Sequence, residues 1–408
     1  MSCTTDPPLK GTMLHRKTLL IPAVAVLALT GCAGGAAPAE TPEPTSAGHG
    51  AVEGAAEVSE PQLHLTTIDP EGSVTQLDLL DESVVDVGAI DAASAMTTDG
   101  RYLFASGSEG VAIVDSGMWT WDHVDHFHYY RGTPSVVGTV PGEGDAVVAT
   151  TNLSTTGSTG LFFADSGEAV LLDTEALSKG ELVERFRLEL EPQAGVLAPI
   201  GSHALLAADG VVQVLSAEGE PSGPAADCVD PGGTITTRVG AVIGCADGAL
   251  LATVDGDEVA LETIAYPADA APRATSFVNR EGRPTVAALA GEQGVWLLDT
   301  RERTWTLLPA PAPLVQVTAV DDDAEHVLAL AADGRVLVLD GSGAQLAATE
   351  PLVDASQPGA TLIADQQRAY LSAPAEGLLV EIDFADGARI ARTFETATEP
   401  AFTALTGR

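Results

Sequence analysis

The stretch Val327-Leu328-Ala329-Leu330-Ala331-Ala332-Asp333-Gly334-Arg335-Val336-Leu337-Val338-Leu339-Asp340 decides the fold. Two short aliphatic and β-branched runs flank a turn containing Asp and Gly, the signature of a β-hairpin. The unit returns as Leu103 to Gly107 with Gly110 to Asp115, as Leu205 to Val214, and as Ala288 to Gly291 with Gly294 to Asp299. Further copies centre on Leu161 to Asp173, Gly244 to Ala252 and Tyr370 to Asp383. The spacing of about 40 to 50 residues is that of four-stranded propeller blades. A partial copy, Leu63 to Asp69, can be completed from the other end of the chain by Ala401-Phe402-Thr403-Ala404-Leu405. Such N-to-C closure removes the free edges of a circular fold. The expectation is an all-β β-propeller over residues 63–408, with eight blades favoured and seven the alternative. A two-sheet sandwich fits less well, because the repeat is too regular and the chain too long. The one helical-looking stretch, Thr174 to Arg187, reads as an excursion between strands. The repeat carries no Trp-Asp or kelch signature, so the fold by itself says little about function.

Outward from the repeats, the N-terminus speaks to location. Met13-Leu14-His15-Arg16-Lys17 is a basic start, and Thr18 to Leu29 is an apolar run containing Pro22. That run is shorter than the roughly 20 residues a bilayer span needs and matches the apolar core of a signal peptide. It ends in Leu29-Thr30-Gly31-Cys32, which resembles a bacterial lipobox with Cys32 as the lipidated residue. An ordinary signal peptide with an incidental cysteine is the plainer alternative. Residues 1–12 read as an over-extended start ahead of Met13, so that residues 1–31 are leader. Residues 32–62, rich in Ala, Gly, Pro and Glu, cannot bury enough apolar surface to offset ordering and read as a flexible tether. The expected protein is extracytoplasmic, periplasmic in character, and held to the membrane only by its lipid. A monomer is expected.

The 408 residues carry 58 acidic and 19 basic side chains, a formal net charge of −39. Nucleic acid is excluded as a natural partner, since affinity for phosphate backbones comes from Lys and Arg. The charge serves solubility, and it also raises the local concentration of cations. Apart from Cys3 and Cys32, the cysteines are Cys228 and Cys245. In an exported protein such a pair is expected to form a disulfide, with two cysteine metal ligands as the alternative.

One segment stands apart from the β repeats: Trp119-Thr120-Trp121-Asp122-His123-Val124-Asp125-His126-Phe127-His128-Tyr129-Tyr130. It holds three of the eight histidines of the chain. Histidine and carboxylate are the ligand set of zinc and similar divalent metals. In a strand, residues two apart share a face, so His126 and His128 can bind one ion together. A turn before the strand lets His123 or Asp125 swing round as a further ligand. Asp122 is placed as a group that fixes a histidine tautomer from outside the metal shell. The bland alternative is a strand with surface histidines and core aromatics. His49 sits in the tether; His64, His203 and His326 lie singly near strand starts and read as structural. No Gly-x-Ser-x-Gly elbow, His-Glu-x-x-His helix, P-loop or dinucleotide fingerprint occurs, and nothing marks an activated nucleophile. A non-enzymatic protein is expected.

The segment Trp121-Asp122-His123-Val124-Asp125-His126-Phe127-His128-Tyr129-Tyr130-Arg131 and the later Gly244-Cys245-Ala246-Asp247-Gly248 with its upstream cysteine resemble the AztD-type zinc metallochaperones. The resemblance spans about Leu63 to Arg408. It implies an extracytoplasmic β-propeller that holds Zn(II) and passes it to the solute-binding protein of an ABC zinc importer. One departure is visible: Cys228-Val229-Asp230-Pro231-Gly232-Gly233 lacks the His-Gly element the family often carries there, and only Asp230 stands in its place. The competing reading is a metal-free protein-interaction propeller. A metal-dependent lactonase-like hydrolase is a third reading, for which no set of channel carboxylates and Asn is evident.

Overall fold

The computed structural model describes residues 50–122, 126–267, 272–291 and 294–408. The leader, Cys32 and the tether as far as His49 lie outside them, as do His123 and Asp125. Among the described residues no helix is long and apolar enough to cross a membrane.

The chain is all-β. Among the described residues, eight antiparallel sheets follow one another along the sequence, seven of four strands and one of three, and a ninth, three-stranded sheet is an excursion from the second. The quoted hairpin forms as read: Val327–Ala331 pairs with Val336–Leu339, with Val327 opposite Leu339. Its two strands are buried along their whole length, because they pack on both faces against neighbouring sheets. Leu328, Leu330, Val336 and Val338 meet Leu371, Val380 and Ile382 of the next sheet in one cluster. Outer strands look different. Arg389–Glu395 exposes Arg389, Ile390, Thr393 and Glu395 and buries only Phe394. The three-stranded sheet, Thr285–Leu289, Gly294–Asp299 and Thr304–Pro309, is supplemented by a backbone bridge from Val278 to Ala287 where a fourth strand would lie.

The first and last strands meet. His64–Ile68 pairs with Phe402–Thr406, His64 opposite Thr406 and Ile68 opposite Phe402. The closure expected from Ala401 to Leu405 is therefore present. Edge strands from seven of the sheets converge on one central cavity of about 420 Å³, whose lining includes Thr97, Thr236, Leu289, Val317, Ile363 and Thr403.

Two expectations need adjustment. The helix is only Thr174–Ser178, not the full stretch to Arg187. Asp173 caps its start by accepting the Ala176 N–H at 3.0 Å, and Gly180 at φ +80° ends it. The chain then returns as the strand Glu184–Glu189. Second, a short strand, Ala56–Val58, forms inside the segment whose composition reads as tether. It buries no core residue, which is why hydrophobic content gives no hint of it.

Cys228 and Cys245 form a disulfide, both buried, joining the sheet that ends at Asp227 to the next. With a sequence separation of 17, loop closure in the unfolded chain makes the bond worth about 3 kcal/mol in the chain-entropy model. The double variant Cys228→Ser/Cys245→Ser is expected to lose about that much in denaturant unfolding. An unchanged midpoint and slope would show that the bond carries no stability.

Candidate metal centre

The histidine segment is an excursion within the second sheet, between the strands Gly110–Asp115 and Ser135–Pro141. It forms a hairpin of Met118–Asp122 and Phe127–Arg131, with Trp119 opposite Tyr130, Trp121 opposite His128 and Asp122 opposite Phe127. Ala56–Val58 adds a third strand on the free side of Phe127–Arg131, placing Glu57 opposite Tyr130.

The root of the hairpin is rigidly seated. Trp119 and Tyr130 stack with ring centres 5.2 Å apart, and both are buried. The Arg101 guanidinium lies 3.9 Å above the Trp119 ring, an orientation that favours cation–π attraction. Arg101 is itself fixed by Asp115, donating through Nε at 3.0 Å and Nη2 at 2.7 Å. The hairpin is tied on other sides as well. Thr120 Oγ1 donates to the Gly407 carbonyl at 3.0 Å, and Arg238 Nη2 donates to Asp122 Oδ2 at 2.8 Å. Arg131 Nη1 donates to Gln62 Oε1 and Asp78 Oδ2 at 2.9 and 3.0 Å.

At the tip, His126 and His128 lie on one face as their i, i+2 spacing requires. Their Nε2 atoms stand 3.0 Å apart. Two imidazole nitrogens on a tetrahedral zinc, each at roughly 2.0–2.1 Å, would be about 3.3 Å apart. The pair is thus close to the separation one ion demands. The other ring nitrogen of His128, Nδ1, is 2.6 Å from Glu57 Oε1. Phe127 and Tyr129 point to the opposite face, ring centres 6.4 Å apart, with Phe127 48% exposed.

Of the sequence-derived site residues, His126 and His128 are brought together. His123 and Asp125 lie outside the described residues. Asp122 is held by Arg238. Among the described residues no group of three or more His, Cys, Asp or Glu side chains gathers as a metal-binding set. Cys228 and Cys245 are occupied by their disulfide, and Asp230 pairs with Arg273 at 2.7 Å. The remaining described histidines lie apart from the hairpin, each beside a partner of its own. His64 is buried, with Nδ1 2.8 Å from the Gln62 carbonyl, and burial lowers its pKa. His326 Nδ1 is 2.6 Å from Asp322 Oδ2. His203 Nδ1 is 3.1 Å from Ser202 Oγ.

Glu57 and Arg238 were not legible as site residues. Glu57 sits in a stretch without a hydrophobic pattern, and Arg238 meets Asp122 across 116 residues of chain.

No family model and no curated protein matches the sequence. The structure does find neighbours. The structure of apo AztD from Citrobacter koseri superposes with a TM-score of 0.72 at 18% identity, covering 86% of this chain and all of the other. The chain has the fold of AztD. A second crystal structure of Citrobacter koseri AztD gives a TM-score of 0.70 with the same identity and coverage. At this identity the likeness to AztD establishes the fold.

The central cavity has its own electrostatics. Glu281 and Asp99 both line it. Burial pushes the Glu281 carboxyl up to about 7, although Arg408 Nε stands 3.4 Å away. Burial pushes Asp99 up to about 6 against the backbone N–H groups of Tyr102 and Arg101, which donate to its Oδ1 at 2.6 and 2.9 Å. A carboxyl whose folded pKa is raised favours folding below the unfolded value near 4, and that contribution is lost as pH rises through the folded value. Glu281→Gln removes this loss. Its thermal midpoint relative to the parent protein is expected to rise between about pH 5 and pH 8, measured by unfolding at matched ionic strength. A difference that stays flat across that range would refute the upward shift of Glu281.

Proposed function

We propose that this protein is a zinc-binding metallochaperone of the AztD type. In this reading the eight sheets are the blades of an eight-bladed propeller. Cys32 anchors the chain to the membrane through its lipid, and the domain works outside the cytoplasm. Zinc is the cargo. His126 and His128 are its firmest ligands through Nε2, His123 and Asp125 complete the shell, and Asp122 orients a neighbouring histidine. The recipient is the solute-binding protein of an ABC zinc importer, and no bond is made or broken in a substrate, so the protein is not an enzyme.

One observation carries the reading: two Nε2 atoms held 3.0 Å apart at the tip of a seated hairpin. Two imidazoles at that separation can share a divalent ion with only a small opening of the pair. The AztD fold and the quoted His segment support the same assignment. The net charge of −39 favours encounter with cations. Placement at a hairpin tip, outside the sheet core, leaves the ion accessible to a competing ligand set, which transfer requires. Because ligands must be deprotonated, acid weakens binding.

Equilibrium titration of the soluble domain with Zn(II) against a competing chelator tests this. His126→Ala and His128→Ala are each expected to weaken binding by more than about 100-fold, beyond what loss of an outer partner costs. Far-ultraviolet circular dichroism should be unchanged, since neither side chain is in the core. Affinity unchanged in both variants would overturn the assignment.

A further inference from the structure

We propose that Glu57 is the positioning residue of the metal site, and that docking of Ala56–Val58 onto Phe127–Arg131 sets the affinity of that site. The inference rests on the zinc reading above and concerns how the site is held ready.

The register explains why Glu57 reaches His128. Glu57 lies directly opposite Tyr130, and His128 is two residues before Tyr130 on the same face. Diagonal neighbours on one face of an antiparallel pair are within reach of long side chains. The contact that results is short, 2.6 Å from Glu57 Oε1 to His128 Nδ1. An ionised carboxylate can only accept, so in the neutral ring the proton sits on Nδ1 and Nε2 presents a lone pair. That is the tautomer a metal needs. The His126 Nε2 lies 3.0 Å from the His128 Nε2, so the ring that Glu57 orients faces its neighbour through the nitrogen a metal would use.

The strand that delivers Glu57 is lightly attached. It has three residues, with Ala56 and Glu57 exposed. Its second foothold is Gly50, whose carbonyl accepts the Trp119 Nε1–H at 3.0 Å. Gly50 lies at φ +79°, and a Cβ there would sit 2.5 Å from the Trp121 ring. Only glycine lets the backbone lie so close to that indole. Both footholds are on the histidine hairpin. Residues 50–58 thus act as a strap across the site, and lifting the strap removes the Nδ1 acceptor without touching either zinc ligand. A carrier needs such a step, because it lowers affinity at the moment of hand-over while leaving the propeller folded.

The test uses Glu57→Ala and Glu57→Gln in the soluble chain, with His128→Ala beside them and Zn(II) as probe. Glu57→Ala is expected to weaken binding about 10- to 100-fold, as for other outer partners of metal-bound histidine, and Glu57→Gln by less, since its amide oxygen still accepts. Nitrogen-15 spectra of the metal-free His128 ring should move from a single Nδ1–H form to a mixture of tautomers in Glu57→Ala. Unfolding midpoints should be unaltered. If His128→Ala weakens binding and Glu57→Ala leaves both affinity and the ring spectrum as they were, Glu57 has no positioning role. If His128→Ala leaves binding intact, the zinc reading itself fails, and the ring spectrum alone then decides whether Glu57 fixes the tautomer.

Discussion

The pairing of His64–Ile68 with Phe402–Thr406 is the constraint on which the rest depends. Middle strands in this chain are apolar on both faces, so every sheet needs a neighbour on each side. A chain of such sheets with loose ends would expose two of those faces and two rows of unpaired backbone groups. Bringing the ends together buries Leu65 and Leu405 beside Tyr370, Leu379 and Phe394 of the sheet before the closure. Most of the polar residues trapped by the closure are matched, the buried Thr403 hydroxyl being the exception. Thr66 and Thr406 hydroxyls lie 3.0 Å apart, and Thr67 and Thr75 hydroxyls 2.8 Å apart. Satisfied hydroxyls are tolerable inside a core where orphaned ones would be costly.

The histidine hairpin leans on that closure. Gly407 and Arg408, directly after the closing strand, offer their carbonyls to the side chain and backbone of Thr120 at 3.0 and 3.3 Å. Basic residues are few, 19 in 408, yet three of them secure this one excursion. Arg101 supports Trp119, Arg238 holds Asp122, and Arg131 joins the hairpin to Asp78. A chain with a large excess of carboxylates would push an acidic ribbon away from its surface. Placing the scarce cations under and beside the ribbon counters that repulsion locally, which is why Asp122 is held against the surface.

The fold was largely legible because the repeat is written in apolar runs, and burial on both faces permits little else at those positions. Val327 to Leu339 and Leu103 to Asp115 read as hairpins for that reason and are hairpins. N-to-C closure was legible because the first copy lacked a strand that the last segment could supply. Thr174 to Arg187 was over-read as helix, since helical spacing persists for a turn or two before Gly180 ends it. The geometry of the candidate site was legible only where it is local. His126 and His128 follow from strand periodicity, a local rule. Glu57 and Arg238 enter through pairing across 71 and 116 residues, and nothing in the local composition encodes such distant neighbours. A strand of three residues with no buried side chain has no periodic signature at all.

Why the histidine hairpin is built in this way follows from the energetics of small sheets. A two-stranded ribbon alone is marginal in water, and a third strand or a packed face is needed to hold it. Here the packed face is Trp119 on Arg101, which steadies the root and leaves the tip to be organised by the third strand. Segments that must open are drawn from the least stable parts of a fold, and Ala56–Val58 qualifies, being short, exposed and remote from every apolar cluster. Rigidity and reversibility are thereby assigned to different pieces of backbone. The sheets fix where the histidines stand, whereas the third strand brings Glu57 to His128 Nδ1. In the proposed carrier, affinity can then change by lifting three residues rather than by unfolding a sheet.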